Sequence, residues 1–171
     1  FPLGVSCVYS YAKKKLGNDF NFRLFKFPSD LNEALTEKSP KILCFSNFVW
    51  NFNLSYKFAS IAKQRDPNII IVLGGPNFPT EQNEKKDFFK KYPVVDYYVE
   101  LEGELAFVDL VKKLSEYNFN TSLFKKNNEK ITNTCYVYQD YLIKGSVSRI
   151  NDVNIVPSPY LTGAMDQFFA H

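Results

Sequence analysis

A five-residue apolar run, Ile69-Ile70-Ile71-Val72-Leu73, leads straight into Gly74-Gly75-Pro76. A strand with no polar alternation is buried on both faces, as in a parallel sheet covered by helices. The glycines mark a sharp exit at its carboxyl end, the side where ligands sit in open parallel sheets, and a glycine pair lets a ligand approach bare backbone. Before this run, Val5, Val8, Tyr9, Ala12 and Leu16 recur at helical spacing until Gly17-Asn18. Residues 20–27 alternate, with Phe20, Phe22 and Leu24 on one side and Asn21 and Arg23 on the other, and predict a strand near an edge. A short helix through Leu31, Ala34 and Leu35 follows, capped by Ser29 or Asp30. Ile42-Leu43-Cys44-Phe45 predicts a buried strand, and Cys44 a packing role within it. Leu54, Phe58, Ile61 and Ala62 predict a helix capped by Asn51 or Asn53.

Beyond Gly74-Gly75-Pro76 the spacing predicts a helix through Phe88, Phe89 and Tyr92. A strand over Val94 to Val99 and a helix over Leu105 to Leu114 follow. Helices alternating with strands mean a parallel sheet with helices on both faces. Right-handed crossovers put every strand-to-helix turn on one rim. Those turns are residues 46–51, 74–77 and 100–104. The strand that usually precedes the first helix of such a fold is missing from the sequence, which leaves the opening residues as the weakest point of the scheme.

The pattern changes near residue 118. Residues 118–130 are polar without a period, and Thr134 to Tyr138 and Leu142 to Ser148 predict a hairpin appended to the main domain. Asn151 to Tyr160, with Pro157 and Pro159, reads as a linker, and Leu161 to His171 as the start of a helix that is cut off. The expected divisions are an α/β domain over 1–117, a hairpin extension over 118–150 and a linker over 151–171.

The net charge of +3 comes from lysines in short clusters, which read as solvated helix faces and argue against nucleic acid as a partner. No apolar run is long enough to cross a membrane. The three cysteines, Cys7, Cys44 and Cys135, have neither metal-ligand nor redox spacing. Their odd number and dispersion suit a cytoplasmic protein. The single histidine, His171, is the last residue, so no histidine-based catalytic centre is expected, and no catalytic or metal-ligating residue is assigned.

Three turns and a tail carry a resemblance. Phe45-Ser46-Asn47-Phe48-Val49-Trp50-Asn51, Val72-Leu73-Gly74-Gly75-Pro76-Asn77 and the stretch from Val95 to Glu104, with Val156-Pro157-Ser158-Pro159-Tyr160-Leu161-Thr162-Gly163 after them, resemble the amino-terminal cobalamin-binding domain of radical S-adenosylmethionine (SAM) proteins. The resemblance implies a Rossmann-like, flavodoxin-type sheet, cobalamin as cofactor, and the radical SAM domain of the same parent chain as partner. That domain would carry the 4Fe-4S cluster and S-adenosylmethionine. Its CxxxCxxC cluster is absent here, so this chain is not expected to cleave S-adenosylmethionine unaided. The DxHxxG motif whose histidine ligates cobalt in other cobalamin proteins is also absent.

The resemblance places Ser46, Asn47, Trp50, Gly74, Gly75, Pro76, Gly103 and Glu104 at the cofactor. Ser46 and Asn47 would hydrogen-bond corrin amides or the nucleotide tail, although both residue types also build turns. Gly74 and Gly75 would let the tail pack closely, or simply form a tight turn. The Trp50 indole would lie against the corrin or pack in the core. Glu104 sits where an acidic residue also complements a helix dipole. Two other readings stay open: a module that kept the fold and lost the ligand, and a nucleotide or sugar-nucleotide enzyme, for which no G-x-G-x-x-G is present.

Overall fold

The computed structural model describes residues 2–169. Its centre is a five-stranded sheet of β1 (Ile42–Ser46), β2 (Ile70–Gly74), β3 (Tyr97–Val99), β4 (Thr134–Tyr138) and β5 (Tyr141–Lys144), hydrogen-bonded in that order. The first three pair parallel, and β4 and β5 continue the sheet antiparallel. The hairpin is therefore joined edge to edge with the α/β part, Val99 opposite Thr134 and Tyr98 opposite Cys135.

Helices α1 (Leu3–Leu16), α2 (Pro28–Glu37), α3 (Phe52–Arg65), α4 (Gln82–Lys91), α5 (Gly103–Glu116) and α6 (Thr121–Lys126) cover both faces. The pleat sorts the apolar run of β2. Ile70 and Val72 pack with Ala106, Leu110 and Leu114 of α5 and with Phe124 of α6. Leu73 packs with Phe52 of α3 and with Phe88 and Phe89 of α4. Ile71 meets Ala59 and Ala62 of α3. With both faces covered, no position of the strand has reason to be polar. Each large side chain buried this way stabilises by about 1.5–3 kcal/mol.

Several expectations are corrected. Residues 20–27 form no strand, because no neighbouring strand offers them a ladder. They still alternate across the sheet plane, Phe20 and Phe22 packing towards α1 and α5 and Phe25 towards Leu31, Leu43 and Ala59. β1 is an edge strand, and Cys44 is exposed rather than buried. Neither Ser29 nor Asp30 caps α2; the helix starts at Pro28, whose fixed φ suits a first helical position, and Ser29 donates to Asp30 instead. The strand predicted over Val94 to Val99 is only Tyr97–Val99. Asp96 lies at its start, away from the carboxyl rim, and accepts from the Ile71 backbone N–H at 2.8 Å and pairs with Lys63 at 2.8 Å.

Sequence periodicity also missed α6, one and a half turns long, whose Asn120 cap accepts from Leu123 N–H at 3.0 Å. The tail forms turns and a 3-10 turn at Asp166–Phe168, not a longer helix. It is more than a linker, since Ala164, Met165 and Phe168 are buried and Thr162 reaches the buried Ser10 of α1 at 3.1 Å. Residues 170 and 171 of the expected helix lie outside the described residues.

Met165 is fully buried. Met165→Ala is expected to destabilise the protein by about 2–5 kcal/mol, read as a lower urea midpoint; a solvated linker would show no change. Burial also raises Tyr97, Tyr98, Tyr136 and Cys135 above the ordinary tyrosine and cysteine values of 10.0 and 9.0. Folding then favours their protonated forms. That stability is complete below the unfolded values and is lost as pH climbs through the window above them. Burial also raises Cys7, Tyr11 and Cys44, and lowers Lys125 alone, which acts in the opposite sense. The urea midpoint is therefore expected to fall progressively above about pH 9, and the check is its pH profile.

Candidate functional site

Because β1, β2 and β3 are parallel neighbours, the loops after their carboxyl ends lie side by side on one edge. The first is residues 47–51, the second 75–81 and the third 100–102. The second lies between the other two.

The first loop is anchored by two asparagines. Asn51 Oδ1 accepts from the Phe48 N–H at 2.8 Å and its Nδ2 donates to the Ser46 carbonyl at 2.9 Å, closing the turn ahead of α3. Asn47 is fully buried. Its backbone N–H donates to the Gly74 carbonyl at 2.6 Å, and its own carbonyl accepts from the Asn77 N–H at 3.3 Å. Its Nδ2 donates to the Asn77 carbonyl at 2.7 Å and to Tyr98 Oη at 3.1 Å, while Oδ1 accepts from Asn77 Nδ2 at 3.0 Å. Tyr98 Oη then donates to the Gly75 carbonyl at 2.8 Å. Asn47 thus ties the first loop to the second, and its amide faces the protein rather than a ligand.

Gly75 has φ +128°, and a methyl placed on it would lie 2.6 Å from the Asn47 carbonyl oxygen. The space a side chain would take at Gly75 is thus filled by Asn47. Gly74 has a lesser restriction, with Val99 O 3.3 Å from such a methyl. Phe78 of the second loop stacks on the Tyr98 ring with centroids 3.7 Å apart. An open pocket of about 400 Å³ lies beside this loop, lined by Phe52, Pro76, Asn77, Phe78, Phe88 and Tyr92. A larger hollow lies between α6 and the end of β4, far from this rim.

The side chains free to meet a ligand are elsewhere. Trp50 is 81 % exposed and stacks flat on Phe48, with centroids 4.6 Å apart and planes 10° apart, beside an equally exposed Val49. A large indole held open to water by a stacking partner is not core packing. Ser46 and Pro76 are partly or fully exposed. In the third loop, Glu100 pairs with the buried Lys85 at 2.5 Å and Glu102 with Arg149 at 2.7 Å. The second oxygen of Glu102 is buried and has no hydrogen-bond partner. Gly103 opens α5, and a methyl there would meet Val8 of α1 at 3.2 Å. Glu104 is half-buried in the first turn of α5, close enough to help burial raise the Cys7 thiol. Sequence reasoning assigned no site role to Lys85 or Tyr98; a lysine among the polar residues of α4 carries no signal of burial.

The family model for the B12 binding domain matches residues 1–111, which contain all three loops. The chain belongs to the B12-binding domain family. Among relatives of this B12-binding domain is the cobalamin-dependent radical SAM methyltransferase TokK of Streptomyces tokunonensis. It is 34 % identical over 172 residues, covering 96 % of this chain and 24 % of TokK. The 2-(S-pantetheinyl)-carbapenam-3-carboxylate methyltransferase of Streptantibioticus cattleyicolor is 30 % identical over 171 residues, with the same coverage. The chain thus spans about a quarter of the length of these relatives. The cobalamin-dependent S-adenosylmethionine radical enzyme OxsB, with aqua-cobalamin and S-adenosylmethionine bound, has the same fold. Its TM-score is 0.65 at 18 % identity, over 98 % of this chain and 23 % of that one.

Gly75→Ala is expected to lower the urea midpoint by at least 1 kcal/mol equivalent, because a side chain there strains the backbone and displaces Asn47. A stability equal to wild type would show that the Asn47–Gly75 approach is not tight.

Proposed function

We propose that this B12-binding domain holds cobalamin non-covalently on the rim formed by the three loops, as one domain of a cobalamin-dependent radical SAM enzyme. The observation that carries the reading is the family match across all three loops, which the fold gathers on one edge. The donor set suits the molecule: a flat macrocycle with amide and methyl groups at its periphery. Trp50, backed by Phe48, offers a flat apolar face. Ser46 supplies a hydroxyl. Glu102 and Glu104 supply carboxylates that accept from amides, one Glu102 oxygen being buried without a partner. Gly74, Gly75, Pro76 and Gly103 keep the rim low between these side chains. Asn47 takes the role of a positioning residue that sets the first loop against the second.

When bound, cobalamin supplies the cobalt-centred chemistry. This chain's residues bind it, orient it and shield one face. No histidine lies among residues 2–169, so the domain's part in this reading is contact rather than cobalt ligation by histidine. Among the described residues no group of three metal-ligating side chains is assembled. The 4Fe-4S cluster and S-adenosylmethionine belong, in this reading, to the partner domain of the parent protein. Three free cysteines support a cytoplasmic setting. No described helix is long and apolar enough to cross a membrane.

The second reading, a scaffold that lost its ligand, draws support from the internal use of Asn47 and Gly75. Titration with hydroxocobalamin separates the two. Binding is expected to shift the corrin absorbance bands with a saturable curve. Trp50→Ala is expected to weaken it about tenfold without lowering the urea midpoint, since the indole is solvent-exposed. A spectrum unchanged at saturating protein would establish the scaffold.

A further inference from the structure

Leu101, in the third loop, has φ +58°. A leucine rarely adopts this conformation, because its Cβ crowds the backbone. The other described non-glycine residues with positive φ are accounted for. Asn118, Asn128, Asn133, Gln139 and Asp140 are polar turn residues, four of them Asn or Asp, which tolerate the region. Phe119 is bulky, but its ring packs at the core edge against Phe20. Leu101 has no such compensation: it is 50 % exposed and belongs to none of the core clusters.

Its flanks impose the conformation. The Glu100 N–H donates to the Asn133 carbonyl at 2.7 Å, and the Glu100 carboxylate is held by the buried Lys85. Glu102 is held by Arg149, and Gly103 begins α5. Between these fixed points the chain carries an apolar side chain into solvent at a backbone cost. Strain that persists without a packing partner clusters at functional sites.

The sheet order places the loop of Leu101 on the rim. The glycine-bearing second loop lies between the first and third, because β2 lies between β1 and β3. Exposed Val49 and Trp50 stand on the first loop and exposed Leu101 on the third. Exposed apolar side chains therefore stand on the two outer loops, with Gly74, Gly75 and Pro76 on the loop between them. We propose that Leu101 is a ligand-contacting residue that packs its isobutyl group against the rim-bound macrocycle from the side opposite Trp50. This rests on the reading that the rim takes cobalamin.

The test uses Leu101→Asn in the purified protein, with Leu101→Gly as a second variant. Asparagine tolerates the backbone conformation and removes the apolar group. Two quantities are read: the urea midpoint without ligand and the hydroxocobalamin affinity from absorbance. Leu101→Asn is expected to raise the midpoint and weaken binding at least fivefold, with the same absorbance change at saturation. Leu101→Gly is expected to hold the midpoint and weaken binding equally. Wild-type affinity in both variants overturns the contact while leaving the rim reading intact. A lowered midpoint in both makes Leu101 a structural residue and overturns the proposal. Failure of wild type itself to bind overturns the rim reading, and the Leu101 contact with it.

Discussion

The side chain of Asn47 is the point on which the rim depends. It is buried at the end of β1, where an amide left unpaired would cost about 1–3 kcal/mol. Every polar group it has is used, and the partners come from Gly74, Asn77 and Tyr98. The first loop therefore cannot shift against the second without breaking several buried hydrogen bonds together. Tyr98 extends the lock by donating to Gly75, and Phe78 covers the Tyr98 ring. Gly75 is the counterpart on the other loop, because only a residue without Cβ leaves room for the Asn47 carbonyl. The result is a rigid base for whatever sits above it.

A rigid base frees the outer residues from structural duty. Trp50 and Val49 hang from a turn that Asn51 closes, and Leu101 sits between two salt-bridged glutamates. The side chains that lock the loops are therefore different from those exposed on the rim. Asn47, Gly75, Tyr98 and Lys85 hold the loops, while Ser46, Trp50, Leu101 and Glu104 are open to contact. A binding surface assembled from loops on a fixed sheet edge loses less conformational freedom on binding than one that must first be ordered.

The parallel order and the shared rim were legible in the sequence because they follow from periodicity and chain handedness. Ile70 to Leu73 could only be a doubly covered strand, and the helix spacing on either side of it was regular. What failed depended on neighbours. Residues 20–27 alternate like a strand and span the sheet plane like one, yet a strand needs a ladder partner and none lies beside them. For the same reason Cys44, apolar in context, is exposed on the edge strand. The short α6 and the buried Met165 escaped because six residues give no period and a lone methionine gives no pattern. The site residues divided along a similar line. Trp50 stood out as the sole tryptophan, but nothing in the letters N and G says whether Asn47 and Gly75 meet a ligand or each other.

That ambiguity has a physical origin. A glycine at a strand end signals close approach, and the approaching group is a tertiary fact. In this molecule the approach is internal and closest at Gly75, with milder crowding at Gly74 by the Val99 backbone and at Gly103 by the Val8 side chain. An asparagine before a helix signals hydrogen bonding, and here Asn51 turns its amide onto its own loop while Asn47 spends its amide across loops. Asn47 and Gly75, which look like ligand contacts in sequence, thus hold the first two loops together. For Trp50 the core alternative fails because the loop beneath it is already held from within by Asn47 and Asn51.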